Sequence, residues 1–524
     1  MTEDEIIKTI LQDRGIEDVG HFLCPTEDDL LPLDALKNIK EAAEIVNHAI
    51  DYSYKIAILA DTDLDGLTSG AIIYRYLKDF GADITVFIDA GKQHGVQKED
   101  VNKYKPFQLF IIVDSLNDNA FLYEEILKES NVEDIIILDH HVVNSKIPYE
   151  KYVTLVSSQV EYDNKQLSGS GVTWKFVKYL DSINGTDFAD KYIDLAASGI
   201  ISDMCSVIEP ENRYIISKGL EEIKNPAIKK IIGSFDWNST AVAFSLAPLA
   251  NASNRMNRNE DAINAFLVDD NSKVLKYVKA MKNCKDEQNA EIDKIMDNVI
   301  KQGDSQLDKK MIIIDIDTSS SIAGLIGNKI LERYQRPILI VTDKDDCYQG
   351  SMRAVGVDDF CGMLNESKLA RSFGHENAAG VIFKKEDRQK LIDYMDEHLP
   401  EVGQNIAPIS VDIRLNLNDI TRGLINRIKE LDKISGTGFK QIRIYVNGIT
   451  DYEIGQMSDY KHLVIKPEDS KVTIIKWNWN GNWDDVEDHA MMGDELEFVA
   501  TLDSGFIGRT YMLKCICDNI EFEE

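Results

Sequence analysis

The 524-residue chain is 44% apolar and 28% charged and carries a formal net charge of -32. Its length holds material for roughly two to four domains, and its charge excludes a protein held to nucleic acid by a broadly basic surface. Any such affinity has to come from a local cationic groove and weaken steeply with salt. No stretch reaches the roughly 18 to 20 uninterrupted apolar residues of a membrane span, and the acidic start MTEDEIIKTI is unlike a signal peptide.

Seven cysteines, an odd number with no CxxC pair, read as reduced thiols of a cytoplasmic protein, and Cys515-Ile516-Cys517 reads as strand alternation rather than a zinc site. Residues 1–50 predict short packing helices, IIKTILQDRGI and LKNIKEAAEIVNHAI, joined by an acidic loop with proline. From Lys55 the pattern alternates, with strands at 56–60, 84–88, 109–113, 135–138 and 153–156 and helices between them. That is the signature of a doubly wound parallel sheet.

The first strand runs into Asp61, Asp63 and Asp65, at alternate positions before Gly66, and a helical pattern resumes at Thr68. The edge where strands run into helices is where open α/β sheets place ligands. Crowded carboxylates there repel one another unless a hard divalent cation sits among them. The competing reading makes Asp61 a turn residue and Asp65 the N-cap of a helix starting near Leu67. Against it, the pattern recurs: Asp114 ends one apolar run, Asp139-His140-His141 ends the next, and Asp203 follows the small, apolar segment 195–201. Four acidic clusters that can converge on one sheet edge are hard to attribute to capping.

Further on, Leu167-Ser168-Gly169-Ser170-Gly171-Val172 opens a helix; such a start can bind phosphate, but close packing is the more ordinary use. Asn212 and Arg213 start another helix, with Arg213 as a surface residue. Residues 247–256, APLANASNRM, are too polar and irregular for a helix core and contain Arg255 beside Asn251 and Asn254. A long amphipathic spacer helix follows at 272–302. A second α/β lobe begins with MIIIDID at 311–317, then a helix at 322–334 and a strand at 337–342. It carries Gly350-Ser351-Met352-Arg353 and Gly374-His375-Glu376-Asn377-Ala378-Ala379-Gly380, either phosphate-contacting turns or ordinary glycine turns. The last hundred residues read as short alternating strands of a small closed β-barrel, in which Trp477, Trp479 and Trp483 offer base-stacking surfaces or core packing. The expected segments are thus 1–50 helical, 51–270 catalytic, 271–308 connecting helix, 309–400 second α/β domain and 401–524 linker and barrel.

Asp61 to Gly66 (DTDLDG), Val113-Asp114, Asp139-His140-His141 and Ser202-Asp203 resemble the four motifs of the DHH phosphoesterase superfamily, and GHENAAG at 374–380 resembles the signature of its DHH-associated domain. Their order, with LSGSGVTWK, APLANASNRM, GSMRAV and the terminal barrel, resembles RecJ-type single-strand-specific 5′-3′ DNA exonucleases over nearly the whole chain. The resemblance implies a parallel-sheet DHH domain, a smaller DHH-associated α/β domain and an OB-like barrel. It also implies two Mn²⁺ or Mg²⁺ ions on Asp63, Asp65, Asp114, His140 and Asp203, with Asp114 bridging and Asp61 a further ligand or a group behind the ligands. Asp139 would orient the histidines, and His141 would touch phosphate or a neighbouring acid. Arg255, Arg353 and His375 would neutralise phosphate oxygens, with Gly374 beside them and Ser351 and Arg353 forming a pocket for the terminal 5′-phosphate.

The chain departs from the family pattern at four places: Leu59 stands where many relatives have histidine, Phe373 precedes Gly374-His375, DAGKQHG from Asp89 replaces a basic stretch for which Lys92 or His94 would substitute, and Thr318-Ser319-Ser320 replaces Trp-His. The expected activity is single-stranded DNA degradation from the 5′ end to mononucleotides in repair or recombination, by a cytoplasmic monomer working with a single-strand-binding protein or helicase. The alternatives are a phosphodiesterase for short oligonucleotides or cyclic dinucleotides and a catalytically silent replication scaffold. Silent relatives typically lose metal ligands, which this chain keeps.

Overall fold

The computed structural model describes all residues except 89–94, 118–119, 143–151, 404–408, 459, 469, 480, 508–509 and 524. The chain divides into two compact units, one of 1–280 with 410–524 and one of 281–409.

The first unit is built on a parallel sheet of β1 (Lys55–Ala60), β2 (Asp83–Ile88), β3 (Leu109–Val113), β4 (Asp134–Asp139) and β5 (Thr154–Ser157), ordered β2-β1-β3-β4-β5. Each expected strand is present to within a residue. The middle strands are almost continuously buried, as parallel strands covered on both faces must be. Leu59, Phe110, Ile112, Ile135 and Ile137 pack with Tyr104, Tyr123 and Ile126, and the helices Leu64–Asp79, Gly169–Asn184 and Ile193–Ser202 pack on one another and on the sheet. Register does the functional work. Ala60 lies opposite Val113, Val113 opposite Leu138, and Asp139 opposite Ser157, so the acidic residues leave the sheet at one edge.

Local chemistry corrects several expectations. The helix after β1 starts at Leu64, not near Leu67 or Thr68, because Asp63 rather than Asp65 is its N-cap and accepts from the Gly66 amide at 3.1 Å. Residues 247–255 are helical after all, entered through a π-helical turn, Val242–Leu246, that tolerates Pro248. Their small residues Ala250, Ala252 and Ser253 form the buried face. Arg213 is buried rather than on the surface: its guanidinium lies 3.4 Å from the Phe22 ring centre and its Nε donates to the Phe22 carbonyl at 2.7 Å.

The same unit contains a seven-stranded sheet of β11 (Ile413–Arg414), β12 (Ile444–Ile449), β13 (Tyr452–Met457), β14 (His462–Pro467), β15 (Val472–Lys476), β16 (Glu495–Ile507) and β17 (Thr510–Glu523). Its order, β11-β12-β16-β17-β15-β14-β13, fits an OB-like domain. No ladder joins β11 to β13 among the described residues. β15 stops at Lys476, which leaves Trp477 and Trp479 in the turn after it rather than on one strand face. Trp483 opens a helix, Trp483–Met492, which alternation did not predict; Asn482 caps it and Asp484 and Asp485 fill its first turn.

The 281–409 unit is a mixed sheet of β6 (Ile312–Asp315), β7 (Ile338–Lys344), β8 (Cys347–Arg353), β9 (Ala370–His375) and β10 (Ala378–Lys384), ordered β6-β7-β8-β10-β9. The helix Ala323–Tyr334 follows β6, as expected, and Met311, Ile313, Leu339, Val341, Met352 and Phe360 lie in one core cluster. The long helix Asn271–Asp304 enters this unit from the first. No helix among the described residues is long and apolar enough to cross a membrane.

Candidate metal centre

Asp61 leaves β1 into a turn that only glycine permits at position 66, where a Cβ would lie 2.6 Å from the Asp61 carbonyl oxygen. That turn folds Asp61 and Asp63 back toward Asp114, and carboxylate oxygens of the three lie within 4.8 Å of one another. Asp114 follows β3 with a left-handed backbone, φ 54°, unusual outside glycine and asparagine, and its amide donates to the Leu138 carbonyl at 2.9 Å. It is 2% exposed, and its Oδ1 has no hydrogen-bond partner among the described residues. That oxygen lies 3.2 Å from His140 Nε2 and 3.7 Å from His141 Nδ1.

Asp139, fully buried at the end of β4, organises the two histidines. Its Oδ1 accepts from both histidine amides at 2.6 Å and from His141 Nδ1 at 2.8 Å, while Oδ2 accepts from the Leu116 amide at 2.8 Å. Although burial opposes its ionisation, the hydrogen bond and charge of the histidines hold its carboxyl down at about 2. In return, the hydrogen bond from Asp139 raises His141 to about 9. His140 Nδ1 faces Asp203 Oδ2 at 3.6 Å and its Nε2 faces Asp65 Oδ2 at 3.9 Å. Asp203, the C-cap of the helix Ile193–Ser202, is raised to about 6 by burial first and by Asp65 second. Burial, then Asp65, Asp63, Asp139 and Asp61, raise Asp114 well above the carboxylate range. The cluster thus holds more negative charge than its histidines balance, together with a buried oxygen that lacks a donor. Hard divalent cations fit that donor set.

Three contacts escaped the sequence reading. Asp65 accepts from Ser168, Gly169 and Ser170, so the glycine-rich helix start is occupied by a carboxylate of the chain and not by an external phosphate. Close packing is the preferred expectation for LSGSG, and the carboxylate it holds is not foreseen by it. Asn254 Nδ2 donates to Thr62 Oγ1 at 2.7 Å, which brings the helix ending at Arg255 to the site. Cys205 donates to Asp203 Oδ2 at 3.3 Å.

The remaining candidates lie elsewhere. Leu59 is core. In the 281–409 unit, Ser351 is buried on β8 opposite Gly380. Arg353 Nε donates to Asn328 Oδ1 at 2.6 Å, its guanidinium passes close to Gly324, and burial lowers its pKa. His375 is exposed at the end of β9, after Gly374 with φ 140°, and Thr318 is hydrogen-bonded to Glu291. In the OB-like sheet, Trp477 is 41% exposed and meets His462 edge-on at 4.8 Å, while Trp479 is half-buried. Lys92 and His94 fall outside the described residues.

The DHH family, N-terminal domain, matches residues 55–200, which span β1 to the Ile193–Ser202 helix. Residues 55–200 are thus a DHH-family domain. The chain is 26% identical over 497 residues to a putative SPbeta prophage-derived single-strand DNA-specific exonuclease, YorK, of Bacillus subtilis, covering 87% of this chain and 84% of that one. It is also 26% identical over 506 residues to the RecJ single-stranded-DNA-specific exonuclease of Bacillus subtilis, covering 90% of this chain and 63% of that one. RecJ of Thermus thermophilus in complex with Mn²⁺ superposes with a TM-score of 0.80 at 21% identity, over 99% of this chain and 76% of that one. Likeness to that RecJ at this identity establishes the shared fold.

Proposed function

We propose that the chain is a metal-dependent exonuclease that hydrolyses single-stranded DNA from the 5′ end to 5′-mononucleotides, serving DNA repair or recombination. The observation that carries the reading is the buried carboxylate cluster around Asp114, whose unpartnered oxygen lies against two imidazoles at the edge of the parallel sheet. Asp63, Asp65, Asp114, His140 and Asp203 would hold the metals, with Asp114 shared and Asp61 a further ligand. Bound there, two Mn²⁺ or Mg²⁺ ions would activate a water at neutral pH and stabilise the departing oxygen.

The chain's own residues supply the rest. Asp139 fixes the orientation of His141 through the Nδ1 hydrogen bond at 2.8 Å, so that His141 presents its ring to a phosphodiester oxygen. Arg255 in the first unit, and Ser351, Arg353, Gly374 and His375 in the second, are the proposed phosphate contacts. Trp477, and less so Trp479, are the proposed stacking surfaces. A single-strand-binding protein or a helicase is the proposed partner of a cytoplasmic monomer.

The test digests 5′-labelled and 3′-labelled single strands with Mn²⁺ or EDTA, using wild type and Asp114→Asn, which keeps the shape of the side chain and suits a left-handed backbone. Release of the 5′ label first, as mononucleotide, only with metal and only by wild type, supports the reading. Intact long strands with cleaved dinucleotides would replace it with the small-substrate phosphodiesterase. Tight strand binding without cleavage would replace it with the scaffold.

A further inference from the structure

Asp65 is 1% exposed in the first turn of its helix, among other carboxylates. Three donors from a different segment close on it. Ser168 Oγ donates to Oδ1 at 2.8 Å, the Gly169 amide to Oδ2 at 2.7 Å and the Ser170 amide to Oδ1 at 3.1 Å. All three belong to the N-terminal turn of the 16-residue helix Gly169–Asn184, whose dipole adds positive potential there.

The surroundings leave this clamp no slack. Ser170 Oγ donates to the Ala196 carbonyl at 3.1 Å and lies 3.0 Å from Ser168 Oγ. A Cβ on Gly199 would meet Ser170 Oγ at 2.0 Å and Asp65 Oδ1 at 2.2 Å, and one on Gly169 would meet Asp114 Oδ1 at 2.7 Å. The helix that ends at Asp203 therefore presses against the clamp from one side, and Asp114 touches it from another.

A carboxylate offers about four lone-pair sites, two on each oxygen. Two donors occupy Oδ1 and one occupies Oδ2, which leaves one site, on Oδ2. That oxygen is the one 3.9 Å from His140 Nε2. Asp65 is thus restricted to one-oxygen coordination through Oδ2, with its rotation fixed in advance.

We propose that Ser168 is a positioning residue for the metal centre: its hydroxyl, with the Gly169 and Ser170 amides, fixes the Asp65 carboxylate so that Oδ2 alone faces a metal ion beside His140. The inference rests on the metal reading above. It predicts that removing the hydroxyl weakens the ion held through Asp65 and spares the other, because the bond the hydroxyl donates goes to Asp65. Partners that orient a metal ligand are typically worth about 10- to 100-fold in metal affinity, and with two amides still in place about tenfold is expected.

The experiment titrates Mn²⁺ into the full chain and follows the free-ion signal by electron paramagnetic resonance, beside melting curves in EDTA. Ser168 also caps its helix, accepting from the Gly171 amide at 3.4 Å, so the main variant is Ser168→Gly, which costs a cap only a few tenths of a kcal/mol. Ser168→Thr keeps the hydroxyl, and Ser168→Cys substitutes a weaker donor of similar size. The expected result is two Mn²⁺ sites in wild type and Ser168→Thr, one of them weakened about tenfold in Ser168→Gly with the other unchanged, and Ser168→Cys in between. Unchanged affinities in Ser168→Gly, or equal weakening of both sites, would overturn the proposal. If Ser168→Gly does not fold, equal affinities in the Cys and Thr variants overturn it. Absence of Mn²⁺ binding by wild type would instead remove the metal reading itself.

Discussion

Removing the charge of Asp114 is expected to stabilise the metal-free protein while abolishing its response to metal. Carboxylate oxygens of Asp61 and Asp63 lie within 4.8 Å of one on Asp114, and at an effective dielectric of about 20 each such pair costs roughly 3.5 kcal/mol. The protonated His141, 3.7 Å from Asp114 Oδ1, returns roughly 4.5 kcal/mol by the same measure. Were Asp114 ionised, the two repulsions would outweigh the attraction by about 2 to 3 kcal/mol. Burial and the neighbouring carboxylates already hold its carboxyl well above the carboxylate range, so protonation relieves part of that cost in the metal-free protein and the figure is an upper bound. Asp114→Asn should therefore be at least as stable as wild type in EDTA, with the difference growing as pH rises. Wild type should gain about 2.7 kcal/mol for each ion present at a hundred times its dissociation constant, and the variant should gain little. Differential scanning calorimetry with and without Mn²⁺ reads both effects. An Asn variant that is less stable than wild type in EDTA, or that keeps the full Mn²⁺ shift, would refute the charge argument.

Two further outcomes concern stability away from the site. Lys175 is fully buried and donates to the Leu31 carbonyl at 2.8 Å, Tyr162 Oη at 2.6 Å and Glu211 Oε1 at 2.5 Å. Lys175→Met should cost about 3 to 5 kcal/mol in urea unfolding, and pairing it with Glu211→Gln, which removes the charge but keeps an acceptor for Tyr162, Asn164 and the Leu31 amide, should recover part of that loss; a double variant no better than the single one would count against the uncompensated charge as the cause. Burial pushes the Asp432 carboxyl up to about 7, so its contribution to stability is fully present below its unfolded value near 3.8 and is lost as pH rises toward 7. Asp432→Asn, which keeps the acceptor for the Ile442 amide, should match wild type at pH 4 and exceed it at pH 8 by at most about 4 kcal/mol; a constant difference between the two pH values would contradict the assignment.

The parallel sheet was legible because its strands are buried on both faces and therefore read as unbroken apolar runs, which admit few alternatives. The acidic candidates were legible for a related reason: each follows such a run, so register alone brings Asp61, Asp114 and Asp139 to one edge. What escaped depends on contacts distant in sequence. Nothing local says that Ser168 meets Asp65 across 103 positions, or that Arg213 is buried against Phe22. The 247–255 helix was hidden because its buried face is made of alanine and serine, which carry no apolar periodicity. The turn at Trp477 and the Trp483–Met492 helix broke a pattern in which tryptophan at alternate positions resembles a strand.

The first helix, Glu3–Asp13, buries Ile6, Ile7, Ile10 and Leu11 and packs on the helix Arg422–Asp432. Arg14 is locked to Asp412 by hydrogen bonds of 2.7 and 2.8 Å. These partners emerge about four hundred residues later, so at 5 to 20 residues per second the greasy stripe of the nascent helix waits roughly 20 to 80 s for its cover. The 281–409 unit is synthesised during that wait and can fold first, although it begins after the first unit. On the ribosome the unit carrying the acidic cluster is therefore finished last, and an interrupted translation product exposes the apolar stripe that chaperones and proteases recognise.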